Sequence, residues 1–179
     1  MLSISSVTKK YGKNIANDNI SFAVGDGEIG ILMGPNGAGN STLLSVMTAE
    51  NPQAYAQDIT LFGRRRGTGE SIWAIKRRIG YVSAEMHRSF MRPIPTVNLV
   101  ASGYFDSLGL YERPTEEQLA VAVAWMEVFG IGGLARRPFL GLSSGEQRLA
   151  LLARAFVKDP DLLILDEPLS GLDAANKAR

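Results

Sequence analysis

The sequence contains no cysteine and a single histidine among 179 residues. Disulfide frameworks and thiolate metal centres are therefore excluded. A chain without thiols suits a reducing compartment such as the cytosol. No stretch approaches the roughly 20 apolar residues that span a bilayer. The opening Met1-Leu2-Ser3-Ile4-Ser5 lacks the basic and apolar regions of a signal peptide. Any membrane role is thus expected to run through a separate partner. Neither sign of charge dominates: 19 Lys and Arg face 18 Asp and Glu, for a net charge of +1. Such a balance provides no field that gathers nucleic acid or anionic lipid, so nucleic acid is not an expected partner. The densest basic runs are Arg64-Arg65-Arg66 and Lys76-Arg77-Arg78. They read either as a solvated face or as a docking patch for an acidic partner.

What is present is a hydrophobic content of 45%, enough for one domain with its own core. Leu2 to Thr8 reads as an edge strand and Ile20 to Val24 as a second strand. Gly25-Asp26-Gly27 marks a turn. Glu28 to Met33 is a near-continuous apolar run, the pattern of a strand buried on both faces. Further strands are expected over 58–62, 79–82 and 162–165. Thr115 with Gln118 forms a capping-box pattern, and Leu119, Ala122, Met126 and Phe129 follow as one helical stripe. A helix is expected over 144–157. Strands that alternate with helices argue for an α/β fold with a parallel sheet.

Gly34-Pro35-Asn36-Gly37-Ala38-Gly39-Asn40-Ser41-Thr42 follows the apolar run and opens a helical pattern. That is the setting of a phosphate loop. Glycines let backbone amides surround phosphate oxygens, and a helix start adds partial positive charge. Ser41 is placed to offer its hydroxyl to Mg²⁺, with Thr42 beside it. Asn40 stands where the G-x-x-x-x-G-K-[ST] pattern has lysine. A neutral, short amide forfeits a charge-assisted hydrogen bond, which weakens nucleotide binding by roughly 10- to 150-fold. On its own, the loop also fits a glycine-rich turn that binds nothing. Leu162-Leu163-Ile164-Leu165-Asp166-Glu167-Pro168 ends an aliphatic strand in two carboxylates. Ligands of open α/β sheets bind beyond such strand ends. There Asp166 can hold Mg²⁺ and Glu167 can polarise the water that attacks a γ-phosphate.

Together these residues resemble the ABC ATPase family. Leu142-Ser143-Ser144-Gly145-Glu146-Gln147 looks like its signature sequence, with Ser144 in place of the usual glycine. Ser170-Gly171-Leu172-Asp173 looks like the D-loop, and Tyr11 matches the aromatic position that stacks on adenine. The resemblance implies a P-loop NTPase (RecA-like) core formed by residues 1–83 and 158–179. It also implies an inserted, mostly helical subdomain over 84–157. It implies ATP and Mg²⁺ as cofactors, and a second ABC domain as partner, whose γ-phosphate Ser143 and Gly145 would contact. An integral membrane transport subunit is a further partner implied by the family. Residues from about 51 to 173 look like the C-terminal half of ModF-type tandem ATPases, named for molybdate transport. The first fifty look like a generic ABC domain.

The chain also departs from the family. Ala84 stands where many members have a γ-phosphate-sensing glutamine. The switch histidine would lie beyond Arg179, and His87 reads as a surface residue of the helical lobe. The sequence thus reads as a C-terminally truncated cassette with an exposed sheet edge, and a marginally stable fragment is expected. With Asn40, the expectation is weak or absent ATP hydrolysis. A non-hydrolysing regulatory module and a soluble, non-transport ATPase acting on nucleic acid or ribosomes are the alternatives.

Overall fold

The computed structural model describes residues 2–35, 37–48, 57–83, 86, 90, 93–106 and 113–168. Two compact units divide the chain, one up to Ile75 and one from Lys76 onward. The expectations for Asn36, Ala84, His87 and the Ser170–Asp173 segment lie outside the described residues.

The first unit is built on an antiparallel sheet in the order β2-β1-β3-β4. Its strands are β1 (Leu2–Tyr11), β2 (Asn14–Val24), β3 (Asp58–Leu61) and β4 (Arg64–Arg65). Leu2 and Ile4 pair with the fully buried Leu61 and Ile59. The inward phase shifts at Ser6, where φ is 51° and the register with β2 breaks, so Val7 and Lys9 are buried next. This is how a bulge re-aims a strand. The edge position expected for β1 is corrected: it is flanked by β2 on one side and β3 on the other. Helix α1 (Asn40–Met47) buries Leu43, Leu44, Val46 and Met47.

The strand expected over residues 28–33 does not form. These residues have no regular structure, and Ile29 and Met33 are 90% and 88% exposed. A strand covered on both faces needs paired neighbours. Among the described residues, no strand pairs with this run, so its side chains stay at the surface.

The second unit holds β5 (Ile79–Val82) and β6 (Leu162–Leu165), paired in parallel. The expected parallel core is thus represented by these two strands, while the larger described sheet is antiparallel. Three helices pack with them: α3 (Thr96–Ala101), α4 (Glu116–Val128) and α5 (Ser144–Phe156). The short α2 (Ile72–Arg77) precedes β5. The capping box at Thr115 and Gln118 is present, and Ala122 and Met126 on the expected stripe are fully buried. Phe139 is enclosed, with the Phe90 ring edge-on at 5.9 Å. Glycine is required where α5 meets β5: a Cβ at Gly80 would lie 2.5 Å from the Ala155 carbonyl oxygen.

Candidate functional site: a phosphate loop, a capped signature helix and an acidic strand end

The expected site residues fall into three groups, each within one unit. Gly34 to Thr42, together with Tyr11, belongs to the first unit. Ser143, Gly145, Asp166 and Glu167 belong to the second.

The expected phosphate loop is closed by a hydrogen bond of its own. The Ala38 amide donates to the Pro35 carbonyl at 3.0 Å. A Cβ on Gly34 would lie 2.8 Å from Ala38 Cβ and 3.6 Å from both polar side-chain atoms of Asn40. The Asn40 side chain therefore folds back over the start of the loop rather than reaching outward as a lysine can. Gly37 and Gly39 take φ of 84° and 88°, a region that side chains other than glycine rarely adopt. Gly39 is the N-cap of α1 and offers no side chain to the first-turn N–H groups. Asn40 and Thr42 are half-buried, and Gly34, Pro35, Gly37, Ala38 and Ser41 are exposed.

Tyr11 ends β1 and is 53% exposed, with Lys9 Nζ 4.6 Å from its ring centroid. The ring is thus accessible for stacking. Lys9 pairs across the strands with Asn17, and the Asn17 Nδ2 donates to the Gly39 carbonyl. Sequence reasoning missed both Lys9 and Asn17.

The signature segment starts α5. Ser143 is its N-cap: its amide and hydroxyl donate to Glu146 Oε2, each at 2.8 Å, and its Oγ accepts from the Glu146 amide at 3.3 Å. Gln147 Nε2 donates to the Phe139 and Leu142 carbonyls, which holds the approach to the helix in place. Ser143 and Ser144 are exposed, whereas Gly145 is buried beneath them.

Hydrogen bonds from the Ser143 amide and hydroxyl hold the Glu146 carboxyl below its ordinary value of 4.5. A carboxyl depressed on folding stabilises above its unfolded pKa, and that contribution is lost as pH falls through the folded value. Glu146→Gln is therefore expected to lower stability at pH 7 and to flatten the acid dependence below pH ~4.5. Acid titration of both proteins by circular dichroism measures this, and parallel curves would refute it.

At the acidic strand end, the Asp166 amide donates to the Val82 carbonyl at 2.8 Å, extending the ladder one residue past β6. Glu167 follows with φ of 48°, a sparsely populated conformation for a non-glycine residue. Asp166 is half-buried and Glu167 exposed. Among the described residues, no group of three or more His, Asp or Glu could hold a metal ion. The expected donors are one hydroxyl, Ser41, and one carboxylate, Asp166. Each is an oxygen donor of the kind Mg²⁺ takes, Ser41 in the first unit and Asp166 in the second.

The chain belongs to the ABC transporter family, whose family profile it matches over residues 17–170. It is 51% identical over 161 residues to the ABC transporter ATP-binding protein ModF of Escherichia coli, covering 89% of this chain and 33% of that protein. It is 36% identical to the uncharacterized ABC transporter ATP-binding protein YlmA of Bacillus subtilis, covering 92% of this chain and 62% of YlmA. The chain thus spans about a third of ModF's length and under two thirds of YlmA's. Its fold is that of ABC ATPase cassettes. It resembles cbiO1 of Clostridium perfringens with a TM-score of 0.80 at 23% identity, over 99% of this chain and 69% of cbiO1. It also resembles a dimeric ATP-binding cassette bound to ADP and Pi, with a TM-score of 0.81 at 23% identity, over 99% of this chain and 78% of that one. Among the described residues, no helix is long and apolar enough to cross a membrane.

Proposed function

We propose that this chain is the ATP-binding module of an ABC-type ATPase that couples nucleotide binding and hydrolysis to transport or another mechanical task. Asn40 weakens both steps. The observation that carries the reading is the self-closed loop over residues 34–42, with two left-handed glycines at the mouth of an uncapped helix. Residues 1–83 and 158–179 serve as the nucleotide core and 84–157 as the lobe that presents the signature helix. Tyr11 stacks on adenine. The loop from Gly34 to Thr42 surrounds the phosphates. Ser41 and Asp166 hold Mg²⁺, which neutralises phosphate charge when bound. Glu167 orients the attacking water and takes its proton. Ser143 and Gly145 face the γ-phosphate held by a second cassette, a tandem half or another copy. An integral membrane subunit is the further partner, with this module on the cytoplasmic face. Molybdate transport belongs to the same reading through the resemblance of residues 51–173.

The position of Asn40, folded over Gly34, favours one alternative: a nucleotide-binding regulatory module without turnover. One experiment addresses both. ATP is titrated against the chain and its Asn40→Lys variant, with and without Mg²⁺, and phosphate release is followed. The variant is expected to bind roughly 10- to 150-fold more tightly and to release phosphate in a manner abolished by Glu167→Gln. Equal affinity in the two proteins would end the phosphate-loop reading. Tight binding without turnover would select the regulatory module.

A further inference from the structure

Asn17 lies within β2 and is 6% exposed. Its Nδ2 donates at 3.1 Å to the Gly39 carbonyl, which also accepts the Leu43 amide at 2.8 Å. Both lone pairs of that oxygen are thereby used. The loop presses directly on the strand here: a Cβ on Gly39 would lie 2.2 Å from the Ala16 carbonyl oxygen and 2.8 Å from Asn17 Nδ2. The other end of the amide gains nothing comparable. Asn17 Oδ1 is buried with no hydrogen-bond partner among the described residues. An apolar side chain would fill this buried position without leaving an acceptor unmet, so the amide's contribution lies in its donor.

The geometry points to Asn17 as a positioning residue for the phosphate loop. Its amide moors the Gly39 carbonyl to β2 and so fixes the direction of the Asn40 and Ser41 N–H groups that follow. Helix α1 has no side-chain cap of its own, and the tether comes instead from a strand 22 residues earlier. The role matters more because Asn40 is neutral. Without a lysine to draw phosphates in, affinity rests on amides already held in place, and preorganisation reduces the ordering cost of binding. This inference rests on the nucleotide-binding reading above and names a residue that governs the same site.

The test compares ATP with AMP, which leaves the β- and γ-phosphate positions empty. Both are titrated by competition against a fluorescent ATP analogue, with the parent chain, Asn17→Ala and Asn17→Ser. Loss of the tether is expected to weaken ATP about 3- to 10-fold while AMP affinity stays within about twofold. A merely structural role would weaken both alike. Asn17→Ser keeps a polar group too short to reach Gly39, and it stands in should Asn17→Ala fail to fold. Hydrogen exchange at the Asn40–Leu43 amides is expected to quicken in either variant. Unchanged ATP affinity, or equal losses for ATP and AMP, overturns the role of Asn17 and leaves the nucleotide reading intact. Absence of ATP binding in both the parent chain and its Asn40→Lys variant overturns both.

Discussion

Gly39→Ala is expected to lower ATP affinity on the order of 100-fold, with the rest of the fold intact. Two separate obstacles meet at this residue. Its φ of 88° lies where an L side chain carries about 1–3 kcal/mol of strain. Its Cβ would also stand 2.2 Å from the Ala16 carbonyl oxygen, a backbone atom that cannot rotate aside. The loop must then lift from β2, which breaks the Asn17 bond at a further cost of about 0.5–1.5 kcal/mol. The variant relaxes into another loop conformation. The binding-competent one becomes a minor state, and apparent affinity falls in proportion to its population. About 3 kcal/mol in all corresponds to the hundredfold loss. The measurement belongs in the Asn40→Lys background, where such a loss stays within range. Gly63→Ala is the control: its φ is 80°, but a Cβ there meets nothing within 4 Å. It should reduce stability and leave ATP affinity unchanged. A Gly39→Ala protein that binds ATP within threefold of its parent would show that the loop does not need the conformation seen here.

The parts of this site that were legible in the sequence are those written in short range. The capping box at Thr115 with Gln118 involves residues three apart, and it forms. The aliphatic run before Asp166 and the run over 79–82 become strands with the expected bounds. What was illegible depends on distant partners. The apolar residues of 28–33 carry the same signal whether or not other strands cover them, so their exposure could not be read from their own identities. The interior place of β1 is set by pairing with β3, more than fifty residues away. Asn17 was hidden for a related reason. The segment Asn14-Ile15-Ala16-Asn17-Asp18-Asn19 is rich in residues depleted from strands, so β2 reads as starting at Ile20. Pairing with β1 overrides that preference from Asn14 onward. Only then does Asn17 become a buried strand residue facing the loop.

The second large effect is expected in the second unit, at Asp106→Ala, which should lower stability by about 3 kcal/mol. Arg154, on the signature helix, is 5% exposed, and its Nε donates to Ser102 Oγ at 3.0 Å. Lys158 Nζ donates to the Lys76 carbonyl at 2.7 Å and forms an ion pair with Asp106. Burial pushes the Arg154 guanidinium down to about 10 and lowers Lys158 below its ordinary 10.5, while Asp106 opposes both shifts. Asp106 therefore pairs directly with the enclosed Lys158 and also favours the charged form of Arg154. Removing Asp106 takes away the carboxylate paired with the enclosed Lys158 ammonium, and breaking a buried pair from one side costs about 3–5 kcal/mol. The lower end applies because the Asp106 side chain keeps 19% of its exposure. For a chain of this size, the melting temperature should fall by about 6–12 °C. The pH dependence follows from the direction of the Lys158 shift. A base whose folded pKa lies below its unfolded one binds fewer protons when folded, so stability rises with pH between the two values. Without Asp106 the Lys158 pKa falls further, and the Asp106→Ala deficit should shrink as pH rises from 7 towards 10. Lys158→Met added to Asp106→Ala should recover part of the loss, since an apolar stem needs no counter-charge. A single variant that melts within about 2 °C of the parent, or a deficit that widens with pH, would mean the carboxylate does not offset these two charges.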